Sequence, residues 1–565
     1  MIKLKKLINT LLAFIILPFK IIYLVPNLAL IVFFAWFIVY SAPILAENLK
    51  TNTLTIFHLN DSHARAEENL KEMEKNIGFA KIATYIQQEK AGNPNVLVLD
   101  AGDTFHGSEY AYLSKGEFII EILNALPLDA MSPGNHDFNY GYDRLKELQK
   151  KAKFKILAAN VLDKNKKLLF DPSFYIYTFG DLKVGIFGLS TPEAAYKSHP
   201  DHVKDIEFSS IVKAAKDQIK VLKSQGVNFI IAVGHLGIDN STLPQNRSTA
   251  LVELKDIDLI IDGHSHSALP KGLIKNGILI AQTGEHLNNL GKVIVSFSDN
   301  YKNKEITAQL INKAQFKDIP ADPQILSIID KYRKTSQNIN SDEIASDEKI
   351  TYLNIPLEGD RKVVRVSESN LGLLIADAMK YYVLEDPVWK NLVKTTLQKT
   401  AKNNLRNASS NLDMAFINGG NIRTSLNPGE IFYKDIRGAL PFESPLVVVS
   451  VTGKELMAIL EHSVSAIPEP SGGFLHGAGL TFEVDIKVTH NRVKNVKVGG
   501  QPLASKKVYN VALPDFLVAG GDGYEMLKNK QLIYKGIGIE KIFADFLKTT
   551  PLVNYDFSPR IKIIK

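Results

Sequence analysis

No cysteine occurs anywhere in the chain. That excludes disulfides, a thiolate nucleophile and every cysteine-ligated zinc site. There is no internal repeat of fixed period and no low-complexity tract, which excludes solenoid architectures. An excess of one charge is also missing. The net charge is +7, and removing Met1–Ala46 with its four lysines brings it to +3. That is too mild for a protein that grips a nucleic-acid polymer. Long apolar runs are confined to the start. Lys3, Lys5 and Lys6 precede Leu7–Phe19, and Lys20 precedes Ile21–Tyr40, where Asn27 is the only clearly polar side chain. Small residues follow at Ser41, Ala42 and Ala46. Residues 1–46 therefore read as a signal peptide or an N-terminal membrane anchor, cleaved or retained. The expectation is export to the periplasm or cell envelope, with membrane contact only through that segment.

What remains is globular in composition, 45% hydrophobic and 22% charged, and 565 residues is long enough for two to four domains. From Thr53 to about Val295, apolar runs of strand length alternate with amphipathic stretches such as Ile77–Gln88 and Ile211–Ser224, the texture of an α/β domain over 50–313. Residues 314–350 are richer in Lys, Asp, Ser and Asn and read as an interdomain connector, helical from Asp322-Pro323 to Arg333 and looser afterwards. Over 351–565 the texture changes. A helical stretch at Leu371–Tyr382, a β-rich run at Leu446–Thr452 leading into a helix at Lys454–His462, and a hairpin through Asn491 predict an α+β domain.

Five apolar runs of the first domain share one feature. Thr53–Leu59 ends in Asp61-Ser62-His63, Val96–Leu99 in Asp100-Ala101-Gly102-Asp103, and Leu128–Met131 in Gly134-Asn135-His136-Asp137. Phe229–Val233 ends in Gly234-His235, and Leu259–Ile261 in Asp262-Gly263-His264-Ser265-His266. The carboxyl edge of an open α/β sheet is where sites are built. Alternate residues of an extended segment point the same way, so Asp61 with His63, and His264 with His266, can converge on one ion. Seven candidates (Asp61, His63, Asp103, Asn135, His235, His264 and His266) exceed one tetrahedral ion and suit two divalent ions about 3.5–4 Å apart. Imidazole, carboxylate and amide oxygen accept Zn, Mn, Co or similar metals. His136 stands beside Asn135, placed to hydrogen-bond a phosphate oxygen or to protonate a leaving group. His202, His286, His462 and His476 read as ordinary surface or core histidines.

These blocks, in this order, resemble the calcineurin-like metallophosphoesterases, and from about Thr53 to Pro559 the chain resembles the 5′-nucleotidases. The resemblance implies a four-layer α/β/β/α metallophosphoesterase domain followed by an α+β nucleotide-binding domain. It implies one metal on Asp61, His63 and His266, another on Asn135, His235 and His264, and Asp103 bridging them. In the 5′-nucleotidases an Asp usually sits three residues after the catalytic His; here that position is Asn139. Asn139 accepts a hydrogen bond but cannot stabilise imidazolium by charge, which leaves Asp137 as a candidate helper. Asn418-Gly419-Gly420-Asn421-Ile422-Arg423, Pro441-Phe442 and Phe516–Tyr524 are similar to the family's C-terminal blocks. By that resemblance Phe442 and Phe516 sandwich a nucleobase, Asp522 meets ribose, Asn418 the nucleoside, and Arg361, Arg365 and Arg423 the phosphate. The activity implied is metal-dependent hydrolysis of nucleoside 5′-phosphates for nucleotide salvage outside the cytoplasm, with domain rotation about the connector. The alternatives are a 2′,3′-cyclic-nucleotide phosphodiesterase or a nucleotide-sugar or dinucleotide pyrophosphatase on the same scaffold. More remote is a non-catalytic surface binding protein.

Overall fold

The computed structural model describes residues 53–69, 75–337, 348–403, 411–442 and 444–564. The leader or anchor expected over 1–46 lies outside these residues, as does 338–347 of the connector. Among the described residues no helix is long and apolar enough to cross a membrane.

Two six-stranded sheets build the first domain. In one the order is Asn303–Asn312, Asn289–Ser298, Thr53–Leu59, Val96–Asp100, Ala130–Met131 and Lys155–Ile156. In the other it is Leu273–Lys275, Ile278–Ala281, Leu259–Asp262, Phe229–His235, Leu182–Ser190 and Phe174–Phe179. The central strands of both are parallel. Every residue of Val96–Asp100 and Phe229–His235 is buried, as strands covered on both faces require. Leu54, Ile56, Leu97 and Leu99 of the first sheet meet Val184, Ile186, Ile231 and Val233 of the second in one core. The outer face of the first sheet is covered by the helices Phe79–Gly92 and Glu117–Ala125, and that of the second by Ile211–Ser224. This is the four-layer α/β/β/α arrangement.

Register places the site. Leu59 stands opposite Asp100, and Asp100 opposite Met131, so three strands of the first sheet end level with one another. In the second sheet Ser190 pairs with His235, and Gly234 with Asp262. Each run of apolar side chains thus stops at the same edge, and the polar residues that follow are delivered together.

The helix Pro323–Gln337 opens with Pro at its first position and Asp322 capping the amide of Ile325. It buries Ile325 and Ile329 in the core beneath the first sheet, so the helical part of the connector is docked rather than free. On the far side of residues 338–347, the strand Lys349–Leu353 pairs with Gly429–Phe432. The second domain is built on a five-stranded sheet ordered Leu475–Ala478, Met414–Asn418, Val508–Pro514, Pro445–Thr452 and Leu532–Gly538. Asn370–Glu385 and Ile539–Thr549 pack on one face. Gly453–Val464 and the hairpin Leu480–Asp485/Val493–Val498 pack on the other. Asn491 takes the positive φ that the turn needs.

Candidate active site

Five of the seven candidate ligands, Asp61, His63, Asp103, His264 and His266, sit at positive φ. Such backbone is uncommon outside glycine and tends to be retained where function requires it. The cause is local: each chain leaves its strand and must turn at once to aim a side chain back across the sheet edge. Gly134 shows how tight the crossing is, because a Cβ there would fall 2.2 Å from the Asp103 carboxylate.

Two clusters result. In the first, His266 Nε2 lies 3.2 Å from Asp61 Oδ1 and 3.2 Å from His63 Nε2. In the second, His235 Nε2 lies 3.1 Å from Asp103 Oδ2, with a nitrogen of His264 within 4.8 Å of the others. The clusters adjoin, since His235 Nε2 is 3.9 Å from Asp61 Oδ1. Asn135 Oδ1 is buried with no hydrogen-bond partner, and Asp61 Oδ1 and His235 Nε2 are buried with only other candidate ligands beside them. Buried polar atoms left in that state are costly unless something else satisfies them. Oxygen and imidazole donors without thiolate fit divalent cations, so the residues suit the metals expected from the sequence.

Electrostatics agrees. Burial pushes His235 down, but Asp103 and Asp61 outweigh it and hold the imidazole up at about 10. Burial likewise opposes ionisation of Asp103, yet His235 and His136 hold that carboxyl well below the usual range. The carboxylates of Asp61 and Asp103 thus favour a positive charge at this point, the kind a divalent ion would supply.

The outer nitrogens of three ligand histidines are also held. His235 Nδ1 donates to the Ala101 carbonyl at 2.7 Å, and His266 Nδ1 contacts the Glu285 carboxylate. His264 Nε2 lies 3.5 Å from Glu193 Oε2, which pairs with Lys197 at 2.6 Å. Partners of this kind fix the tautomer and aim the remaining nitrogen inward.

The second domain closes over these clusters. Arg423 reaches to 3.2 Å from His63 Nε2 and 3.4 Å from His136 Nε2, while Arg361 lies 3.4 Å from the His264 carbonyl. Burial and the like charges of Arg361 and Arg423 push Arg365 well below its usual range. Three crowded guanidiniums form a site for an anion. All three line one cavity of about 530 Å³ together with Asp103, Asn135, His136, Asn139, His264, His266, Asn418, Phe442, Phe516 and Asp522. Asp61, His63 and His235 lie behind it, almost fully buried. Asn418 donates to Asp522 at 2.8 Å, and His462 Nε2 donates to the Asp522 carbonyl at 2.8 Å.

Two sequence readings need correction. Asp137 does not help His136: its carboxylate accepts the amides of Asp103, Thr104, Phe105 and Gly134, bracing the two loops. The residue at His136 Nδ1 is Asn139, at 3.1 Å. His202 is exposed at the edge of the cavity, a surface histidine as read, whereas His286 lies 5.6 Å from the His63 ring and is not an ordinary surface or core histidine. His476 is one, buried and held by the Val364 carbonyl at 3.0 Å. Sequence reasoning passed over His106, Glu193, Lys197 and Glu285. The last three follow the ends of Leu182–Ser190 and Ile278–Ala281, parallel strands of the same sheet, so the rule that found the others extends to them.

Comparison with known proteins agrees with the geometry. Residues 54–268 match the calcineurin-like phosphoesterase family, and residues 344–529 match the 5′-nucleotidase C-terminal domain. The chain is 31% identical over 530 residues to the 5′-nucleotidase of Bos taurus, covering 85% of each. It is 29% identical to the trifunctional nucleotide phosphoesterase protein YfkN of Bacillus subtilis, over 84% of this chain and 32% of that one. Among solved structures, that of a 5′-nucleotidase precursor from Thermus thermophilus superimposes with a TM-score of 0.74 at 28% identity, over 91% of this chain and 99% of the other. The two groups of site residues, one on each domain, are thus explained together: the chain belongs to the 5′-nucleotidase family and is a hydrolase acting on nucleotides.

Proposed function

We propose that the protein hydrolyses nucleoside 5′-phosphates to nucleoside and phosphate, outside the cytoplasm, using two divalent ions. Asp61, His63 and His266 would hold one, Asn135, His235 and His264 the other, with Asp103 shared. Bound there, the ions would supply Lewis acidity, activating water and neutralising charge on a phosphoryl group. The observation that carries the reading is the placement of Arg423 between His63 and His136, in a cavity also lined by Phe442, Phe516 and Asp522.

The chain's own residues have distinct tasks. Guanidinium forks of Arg361, Arg365 and Arg423 bind phosphate oxygens and stabilise charge that spreads over them as the bond to the leaving oxygen breaks. Asn139 holds His136 Nδ1 at 3.1 Å and so fixes the ring. That leaves Nε2, beside Arg423, facing the phosphoryl group or the departing O5′. Phe442 and Phe516 offer π faces to a base, which tolerates any base identity. Asp522, held by Asn418, is left to accept from ribose hydroxyls.

A second reading has one observation in its favour. A neutral Asn139 on the catalytic imidazole departs from the 5′-nucleotidase pattern and resembles the cyclic-nucleotide phosphodiesterase branch, and YfkN is named a trifunctional phosphoesterase. A substrate panel with Mn²⁺ separates them. Phosphate release from AMP that EDTA abolishes is the expected result. Hydrolysis restricted to 2′,3′-cyclic AMP and bis(p-nitrophenyl) phosphate would move the protein to the phosphodiesterase branch. Release from UDP-glucose or a dinucleotide alone would make it a pyrophosphatase.

A further inference from the structure

The stretch from Asp103 into the helix Glu109–Leu113 delivers more than a carboxylate. His106 is buried and lays its ring against Phe442, with centroids 5.2 Å apart and planes 13° from parallel. Its other ring neighbours are Tyr140 at 5.2 Å and His136 at 6.2 Å. Further along, Tyr112 receives Arg437, whose guanidinium carbon sits 3.7 Å from the ring centroid. Both contacts run from the metal domain to one short segment of the second domain, the helix Tyr433–Ala439 and the Pro441-Phe442 that follows it.

A phenyl ring has two faces, and a stacking platform works best when its own orientation is already fixed, since less freedom is then lost on binding. With His106 stacked on Phe442, the His136 ring 5.4 Å away and the Arg423 guanidinium carbon 5.7 Å from its centroid, the ring that would meet a planar partner is held in plane. Arg437 on Tyr112 holds the helix that carries Phe442, and a cation over an aromatic face away from bulk water is a strong local anchor.

We propose that the metal domain supplies the backing of the base clamp. His106 and Tyr112 act as positioning residues that fix Phe442 for a nucleobase, so preference for nucleotides over phosphates without a base is set in part by the catalytic domain. The proposal rests on the nucleotide reading above and deepens it. It also ties two events together: Phe442 reaches its working orientation only when the second domain lies against the segment that bears Asp103.

The test is the ratio of kcat/KM for AMP to kcat/KM for ribose 5-phosphate, measured on the Mn²⁺-loaded protein. His106→Ala and Tyr112→Ala are expected to lower that ratio about 3- to 10-fold, the worth of one aromatic contact, chiefly through KM for AMP. His106→Phe, which keeps a flat ring, is expected to restore it. A ratio that stays unchanged, or equal losses on both substrates, would overturn the proposal. Wild-type protein with no preference for AMP would overturn the nucleotide reading itself, and the proposal with it. Should His106→Ala fail to fold, Tyr112→Leu against Tyr112→Phe reads the same ratio.

Discussion

The two halves of the site are made in different ways. On the metal domain, residues are placed by strand ends: parallel register aligns Leu59, Asp100 and Met131, and the loops beyond them carry ligands in left-handed backbone over a core buried on both sides. On the nucleotide side, Phe442 follows a helix, Phe516 lies within the four-residue helix Asp515–Val518 after a strand, and Asp522 occupies a turn at positive φ. These residues are half-buried, and Phe442 is distant in sequence from the stretch that holds Phe516 and Asp522. The lesson is that the charged half of the site is placed by strand register, and the other half by helix ends and turns.

If that contrast is right, the largest effect comes from Asp103, the residue we propose both ions would share. Asp103→Asn removes the carboxylate beside His235 and is expected to lower phosphate release from AMP by about 10³-fold and to lose bound metal, while the fold survives. Elemental analysis beside a thermal melt checks this. Retained metal with full activity would end the shared-ligand account.

A smaller effect separates the clusters from one another. Glu285 contacts His266 Nδ1, whereas Glu193 behind His264 is balanced by Lys197. Glu285→Gln is expected to weaken one of two Mn²⁺ sites by about 10- to 100-fold and spare the other, read by calorimetric titration of metal-free protein. Equal weakening of both sites would mean the clusters are not independent.

The smallest effect erases the contrast, because each domain buries a neutral histidine away from the clusters. Burial pushes His58 down to about 3 and His476 down to about 4. Unfolded histidine takes a proton near pH 6.5, so the unfolded chain holds more protons between the two values. Stability therefore rises with pH across this window and is lost as pH falls from about 6.5 toward 4. Going from pH 6.5 to 5.5 is expected to cost about 1 kcal/mol per histidine. In melts at those two pH values, His476→Gln should flatten the dependence. An unchanged slope would show that other groups govern it.

The same contrast explains what the sequence could reveal. The five strand ends were legible because an apolar run that stops in Asp, Asn or His is a local pattern, and register does the rest. Glu193, Lys197 and Glu285 escaped because they lie several residues beyond Ser190 and Ala281, past loops that dilute the pattern. Asp137 misled for the opposite reason. It sits in the right block, but its side chain turns away to accept four amides. On the nucleotide side no spacing marks Phe442, Phe516 or Asp522 as partners, and only likeness to a family joined them. His106 was invisible to both approaches, since its partner Phe442 lies on the other domain.

The most direct test of the account is a count of metal ions. Wild-type protein equilibrated with excess Mn²⁺, dialysed and analysed for metal per chain should hold two, with AMP hydrolysis rising as the second is filled. One ion per chain at full activity would contradict the paired clusters on which every role above depends.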